Sequence, residues 1–264
     1  MINNNFFKKY KGFTLVEMAI VLVILGFVLG ALLLPLQAQR QQLAQSQTEN
    51  TLELAKQALL GYAQSRGRLP CPATAASNGL ETPLGGNALC TSQLGYLPAA
   101  TLGIEPTDAN GYALDAWNNR IMYAVAQNSA ATPVNPATPD YTTNNVTDGM
   151  NIVGLANLTP ELRVCNSSTG ITASACSVSI TPETNYLINN AVAVIYSTGA
   201  TGAQAFGCID ENVNPKIPSL PATFKSVFVS HGIVAGSVNE FDHLVTWISP
   251  FVLYNAMIQA GQLH

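Results

Sequence analysis

The chain has 264 residues and a net charge of −4, with only 10% charged side chains, against about 25% in ordinary globular proteins. Three of its 11 basic residues fall in the first 12 positions, which hold no acid, so residues 13–264 carry 8 basic and 15 acidic side chains. Such an acidic body offers no footprint for nucleic acid, and the abundance of Ala, Thr, Asn, Ser and Gly suits an extracytoplasmic surface protein better than a cytosolic enzyme.

Lys8, Lys9 and Lys11 precede an apolar run whose seventeen residues from Met18 to Leu34 carry no charge. About 20 apolar residues span a bilayer, and the lysines would hold the N-terminus in the cytoplasm. A secretory signal peptide has a shorter core followed by a small-x-small cleavage site, and Leu36-Gln37-Ala38 is a poor one. A simple signal anchor fits the length but gives Glu17 no purpose, because a charge in hydrocarbon is costly.

Lys11-Gly12-Phe13-Thr14-Leu15-Val16-Glu17 resembles the processing site of type IV prepilins and the related pseudopilins. The resemblance implies that prepilin peptidase cuts between Gly12 and Phe13 and N-methylates Phe13. It also implies that Glu17, fifth in the mature chain, acts in assembly. Cleavage frees a charged amine on Phe13, and in staggered subunits the Glu17 carboxylate of one meets the amine of a neighbour. Inside an apolar helix bundle such a pair is strong and either charge alone is costly. Pro35 lies one residue later than the family's usual proline, which shifts the expected kink by about 100° around the helix axis.

Residues 37–66 contain no proline and one glycine, Gly61. Leu52, Ala55, Leu59 and Tyr62 recur at helical spacing, with Leu54 and Ala58 close by, so an amphipathic helix is expected. Joined to the span it makes one helix of roughly 75–80 Å, with an exposed glutamine-rich first part, stopped by Gly67 and Leu69-Pro70. The expected organisation is a leader at 1–12, a transmembrane and filament-core helix at 13–36, its amphipathic continuation at 37–66, and a globular extracytoplasmic head at 67–264.

The Gly67-Arg68-Leu69-Pro70 element also resembles the family, and residues 71–110 read as an irregular connection. Asp115-Ala116-Trp117-Asn118-Asn119 is similar to the element that opens the first strand of major pseudopilins. Asp115 is expected to cap a turn and Trp117 to pack beneath the sheet, with Asn118 accepting a left-handed backbone in place of glycine. Ile121–Val125 is a predicted strand, 128–148 a polar surface loop, and 150–155, 191–197, 224–230 and 243–248 are further predicted strands. Ser249 and Pro250 cap and open a closing helix that runs to about Ala260. The order is a long helix, a mostly antiparallel sheet and a closing helix, a pilin-like α+β fold.

None of the five cysteines forms a CxxC pair and no histidine has zinc-site spacing. Outside the cytoplasm disulfides are the default. Cys71 with Cys90 and Cys165 with Cys176 are the local pairings, which leave Cys208 over, although sequence does not fix connectivity. No hydrolase, metalloprotease, P-loop or dinucleotide motif is present. Asp242 and Trp247 look like the end of the calcium-binding pattern of major pseudopilins, which makes Asp242 and Glu240 candidate Ca²⁺ ligands beside the 197–202 loop. That loop has Gly199-Ala200-Thr201-Gly202 where the family commonly has an aspartate, and Ca²⁺ wants six to eight oxygens. No other cofactor is expected.

The reading is a non-enzymatic structural subunit of a type IV pilus or pseudopilus, a minor pilin by the size of its head. Its expected partners are prepilin peptidase, other pilin or pseudopilin subunits and an inner-membrane assembly platform. It is expected first in the bacterial inner membrane, N-terminus cytoplasmic and head periplasmic, and then in the filament. The rival is a membrane-tethered extracytoplasmic binding protein or enzyme that uses a pilin-like anchor.

Overall fold

A computed structural model describes residues 12–86, 90–127, 141–144, 149–176, 185–202, 209–216, 226–234 and 240–263, with the side chains of 31–37 excepted. The leader lysines, the side chain of Pro35, most of the polar loop at 128–148, the start of the predicted 224–230 strand and Cys208 lie outside these residues. Two compact units are present, 1–45 and 46–264. Helix α1 (Leu15–Arg66) runs through Pro35 without a break.

In the first unit, the large apolar side chains from Phe13 to Leu29 all stay exposed, between 45% and 87%. Among the described residues no helix is long and apolar enough to cross a membrane.

In the second unit, the last turns of α1 bury Leu52, Ala55, Leu59 and Ala63, a spacing of three or four residues that places them on one face. Leu54 falls off that stripe and is 57% exposed. The helix ends where expected: Gly67, at φ +71°, donates its N–H to the Ala63 carbonyl, a left-handed C-terminal stop that costs glycine least.

Among the described residues seven strands follow: β1 (Leu94–Tyr96), β2 (Met122–Val125), β3 (Leu162–Cys165), β4 (Tyr186–Ala191), β5 (Ala193–Ser197), β6 (Val227–Val229) and β7 (Leu244–Ile248). One sheet, ordered β1-β2-β5-β7, is antiparallel throughout. The other, ordered β4-β3-β6, pairs β3 antiparallel with β4 and parallel with β6. Strands β2 and β5 are buried at every residue, which explains their continuous apolar runs rather than alternation. The α1 stripe shares one core with β2, β5, Leu162 and Val164 of β3, Phe228 of β6, and Leu253 and Met257. Cys165, Val227, Val229, Cys176 and Phe241 form a second, smaller core.

The expected strand at 191–197 is divided. Val192 bonds to Ile248 on one side and Ala126 on the other, so the chain leaves the three-stranded sheet at Ala191 and enters the four-stranded one within a residue. The predicted strand at 150–155 is instead a helical turn, α3 (Met150–Val153), followed by a 3₁₀ turn at Leu155–Asn157. There the Gly149 carbonyl accepts from both Ile152 and Val153, and N–H groups spent on a local turn are not free for a ladder. Residues 71–110 are less irregular than expected, since they hold β1 and the short helix α2 (Ala99–Leu102). The closing helix α4 (Pro250–Gln259) has the expected cap, with Ser249 accepting from the Val252 N–H.

Candidate functional site

The N-terminal segment is set up by a local capping motif. Glu17 accepts from the Thr14 N–H and hydroxyl, both at 2.9 Å, and donates its own N–H to Thr14 Oγ at 3.2 Å. This reciprocal pair is a capping box, and its signal, Thr-x-x-Glu ahead of an apolar run, is legible in residues 14–17. It starts α1 at Leu15, so Gly12 and Phe13 stay outside the helix and exposed. The peptide bond between them is accessible without unwinding a turn.

Behind α1, a buried clamp ties the helix end to the following loop. Arg68 gives Glu81 two hydrogen bonds of 2.7 Å, and Glu81 also accepts from the Tyr62 hydroxyl at 3.0 Å and the Cys71 N–H at 3.2 Å. Burial alone would raise the Glu81 carboxyl, but the Arg68 contacts outweigh it and hold the group below its ordinary value of 4.5. The Cys71–Cys90 disulfide closes this loop, and Cys165–Cys176 closes the one after β3.

Two elements singled out separately in the sequence meet in space. Asp115 caps its turn as expected, accepting from the N–H groups of Trp117 and Asn119, with Asn118 at φ +65°. Its other oxygen accepts from Ser197 Oγ at 2.6 Å, while Asn119 donates to the Gly199 carbonyl. Asp115 therefore anchors the 197–202 loop. Trp117 does not pack beneath the sheet; it is half-buried, and the tryptophan packed against the core is Trp247 on β7.

On its other side the same loop wraps Asp242. Gly199 sits so close that a Cβ there would overlap the Asp242 carboxylate, and Thr201 donates its N–H to Asp242 Oδ2 at 2.7 Å. The groups that converge with Asp242 are Glu211 and His243, with one ligand atom from each lying within 4.8 Å of the others. Glu240 lies outside this group, and nothing in its sequence neighbourhood pointed to Glu211, which sits in a 3₁₀ turn at Glu211–Val213. Burial first, and then the Asp242 carboxylate, raise the Glu211 carboxyl. Burial and the charge of Lys216 push His243 down to about 3, which leaves it neutral.

The donor set fits Ca²⁺ poorly. It supplies two carboxylates and an imidazole where that ion wants six to eight oxygens. Hydrogen bonding also sets the tautomer of the imidazole against a metal. The Asn214 amide exchanges two bonds of 2.8 Å with the Val229 backbone, so its remaining N–H faces His243 Nδ1 at 3.2 Å. Nδ1 is then the acceptor and Nε2 carries the proton.

Residues 7–33 match the prokaryotic N-terminal methylation motif, so the chain carries a type IV pilin-like prepilin motif. No curated protein and no solved structure matches the chain.

Proposed function

We propose that this chain, which bears a prepilin motif at its N-terminus, is a structural subunit of a type IV pilus or pseudopilus. The head that follows residue 66 is large for a bulk subunit, which favours a minor pilin that initiates or tips a filament. The leader is removed between Gly12 and Phe13 by prepilin peptidase, and Phe13 is N-methylated. The subunit waits in the inner membrane with its head in the periplasm, then joins other pilin-type subunits through an assembly platform.

One observation carries this reading. The motif at 7–33 coincides with apolar side chains that stay exposed from Phe13 to Leu29. A helix apolar on all sides is stable only when something covers it, either lipid or neighbouring helices. A span before assembly and a filament core after it use the same surface in turn. Glu17 distinguishes the two uses. In the uncut chain its carboxylate is occupied by Thr14, and cleavage one residue earlier creates the amine that a neighbour's Glu17 can pair with.

The test is Glu17→Ala, followed by quantitation of the subunit in sheared filaments relative to membranes. Loss from the filament fraction, with normal membrane levels and normal leader removal, is the expected result. Incorporation at the wild-type level contradicts the pairing role.

A further inference from the structure

The cluster around Asp242 closes into a ring of contacts that includes a lysine. Lys216 Nζ lies 3.8 Å from Glu211 Oε2 and donates to the Thr201 carbonyl at 3.5 Å. The Thr201 N–H donates to Asp242 Oδ2 at 2.7 Å, and the Asp242 N–H donates to Glu211 Oε1 at 3.0 Å, which returns to the start. Three separate segments meet in this ring: the 197–202 loop, the 210–216 segment and the residues that lead into β7. The Glu211 side chain is 1% exposed and that of Lys216 is 19% exposed.

Oxygens in the ring still lack a hydrogen-bond donor. Among the described residues, Glu211 Oε2, Asp242 Oδ1 and Thr201 Oγ are buried with no hydrogen-bond partner. Two of these belong to carboxylates, and a charged carboxylate without compensation is far too costly in a low-dielectric interior. His243 does not supply the charge, since its Nδ1 faces the Asn214 N–H as an acceptor, which leaves the ring one proton, on Nε2. Among the described residues, the ammonium of Lys216 is the cation beside Glu211, and its charge also repels any divalent ion that approaches the same oxygens.

We propose that Lys216 is the resident cation of this cluster: its tethered ammonium, rather than a bound divalent ion, balances Glu211 and Asp242 and fastens the 197–202 loop to β7. The consequence is a head whose folding is independent of extracellular calcium. The inference concerns the head alone and stands apart from the filament reading.

The experiment uses the full chain in detergent, melted in millimolar Ca²⁺ and in chelator, alongside Lys216→Met and the double variant Lys216→Met/Glu211→Gln. Wild type should melt at one temperature in both solutions. Lys216→Met should melt about 5 °C lower, less than the loss of a fully buried close pair, because the Lys216 side chain is 19% exposed and lies 3.8 Å from Glu211. Glu211→Gln in that background should recover most of the loss, because Gln retains the acceptor for the Asp242 N–H and removes the unbalanced charge. A wild-type melt that falls in chelator and returns with Ca²⁺ overturns the proposal. So does a Lys216→Met protein that melts with wild type.

Discussion

Glu81→Gln is expected to be among the more damaging single substitutions in the head. The Arg68 and Glu81 side chains are only 6% and 4% exposed, and they meet through two contacts of 2.7 Å. Gln keeps the shape, but it removes the negative charge and turns an amide N–H₂ toward the guanidinium, donor against donor. Arg68 does not give up its proton, so a charge stays buried without a counter-ion. Breaking a buried pair from one side costs about 3–5 kcal/mol, and at about 2–4 °C per kcal/mol for a chain of this size the melt should fall by roughly 6–20 °C. Replacing both partners, as in Arg68→Met/Glu81→Leu, should recover much of it, since an apolar pair of similar volume replaces a buried ion pair at little cost.

The same contact sets a pH dependence. Because the folded-state carboxyl is held below its ordinary value of 4.5, the pair contributes fully above that value. The contribution is lost as pH falls through the depressed folded value, where wild type must protonate Glu81. Thermal unfolding followed by circular dichroism should therefore show a large gap between wild type and Glu81→Gln at neutral pH, and the gap should close in acid. Equal melts at neutral pH, or a gap that acid leaves unchanged, would refute the reasoning.

Cys71→Ser with Cys90→Ser should lower stability by about 3 kcal/mol, as expected for opening a loop of this separation, without moving the pH at which the Arg68–Glu81 contact fails. Chemical denaturation of the two proteins measures both effects. Asp115→Ala should cost about 3 kcal/mol, since it strands the Trp117 and Asn119 N–H groups and the buried Ser197 hydroxyl together. Limited proteolysis should then find its new cut within the 197–202 loop, and a loop as resistant as wild type's would show that Asp115 is not its anchor.

Local signals in the chain were the most readable. The stop at Gly67, the Ser249-Pro250 start of α4 and the turn at Asp115–Asn119 each depend on a few neighbouring residues with one favoured geometry. Strands β2, β6 and β7 declared themselves by short β-branched or aromatic runs, and both local cysteine pairs lie at bonding distance, with Cα separations of 5.4 and 5.5 Å. Non-local choices were harder to read. Ile152 and Val153 favour a strand by type, but the Gly149 carbonyl captures their N–H groups first. Tyr186–Ala191 carries two asparagines and takes its strand conformation from pairing with β3, which no local pattern announces. In the Asp242 cluster, the sequence pointed to the loop and to the aspartate, whereas Glu211 and Lys216 are brought there by tertiary folding. Glu240 was the neighbour in sequence, and Glu211 is the neighbour in space.

The mature N-terminus decides whether this is a processed pilin-type subunit. Mass spectrometry of the protein from membranes should find a chain that begins at Phe13 and carries one methyl group on its amine. A chain that still begins at Met1, or one cut beyond Leu36, would contradict it.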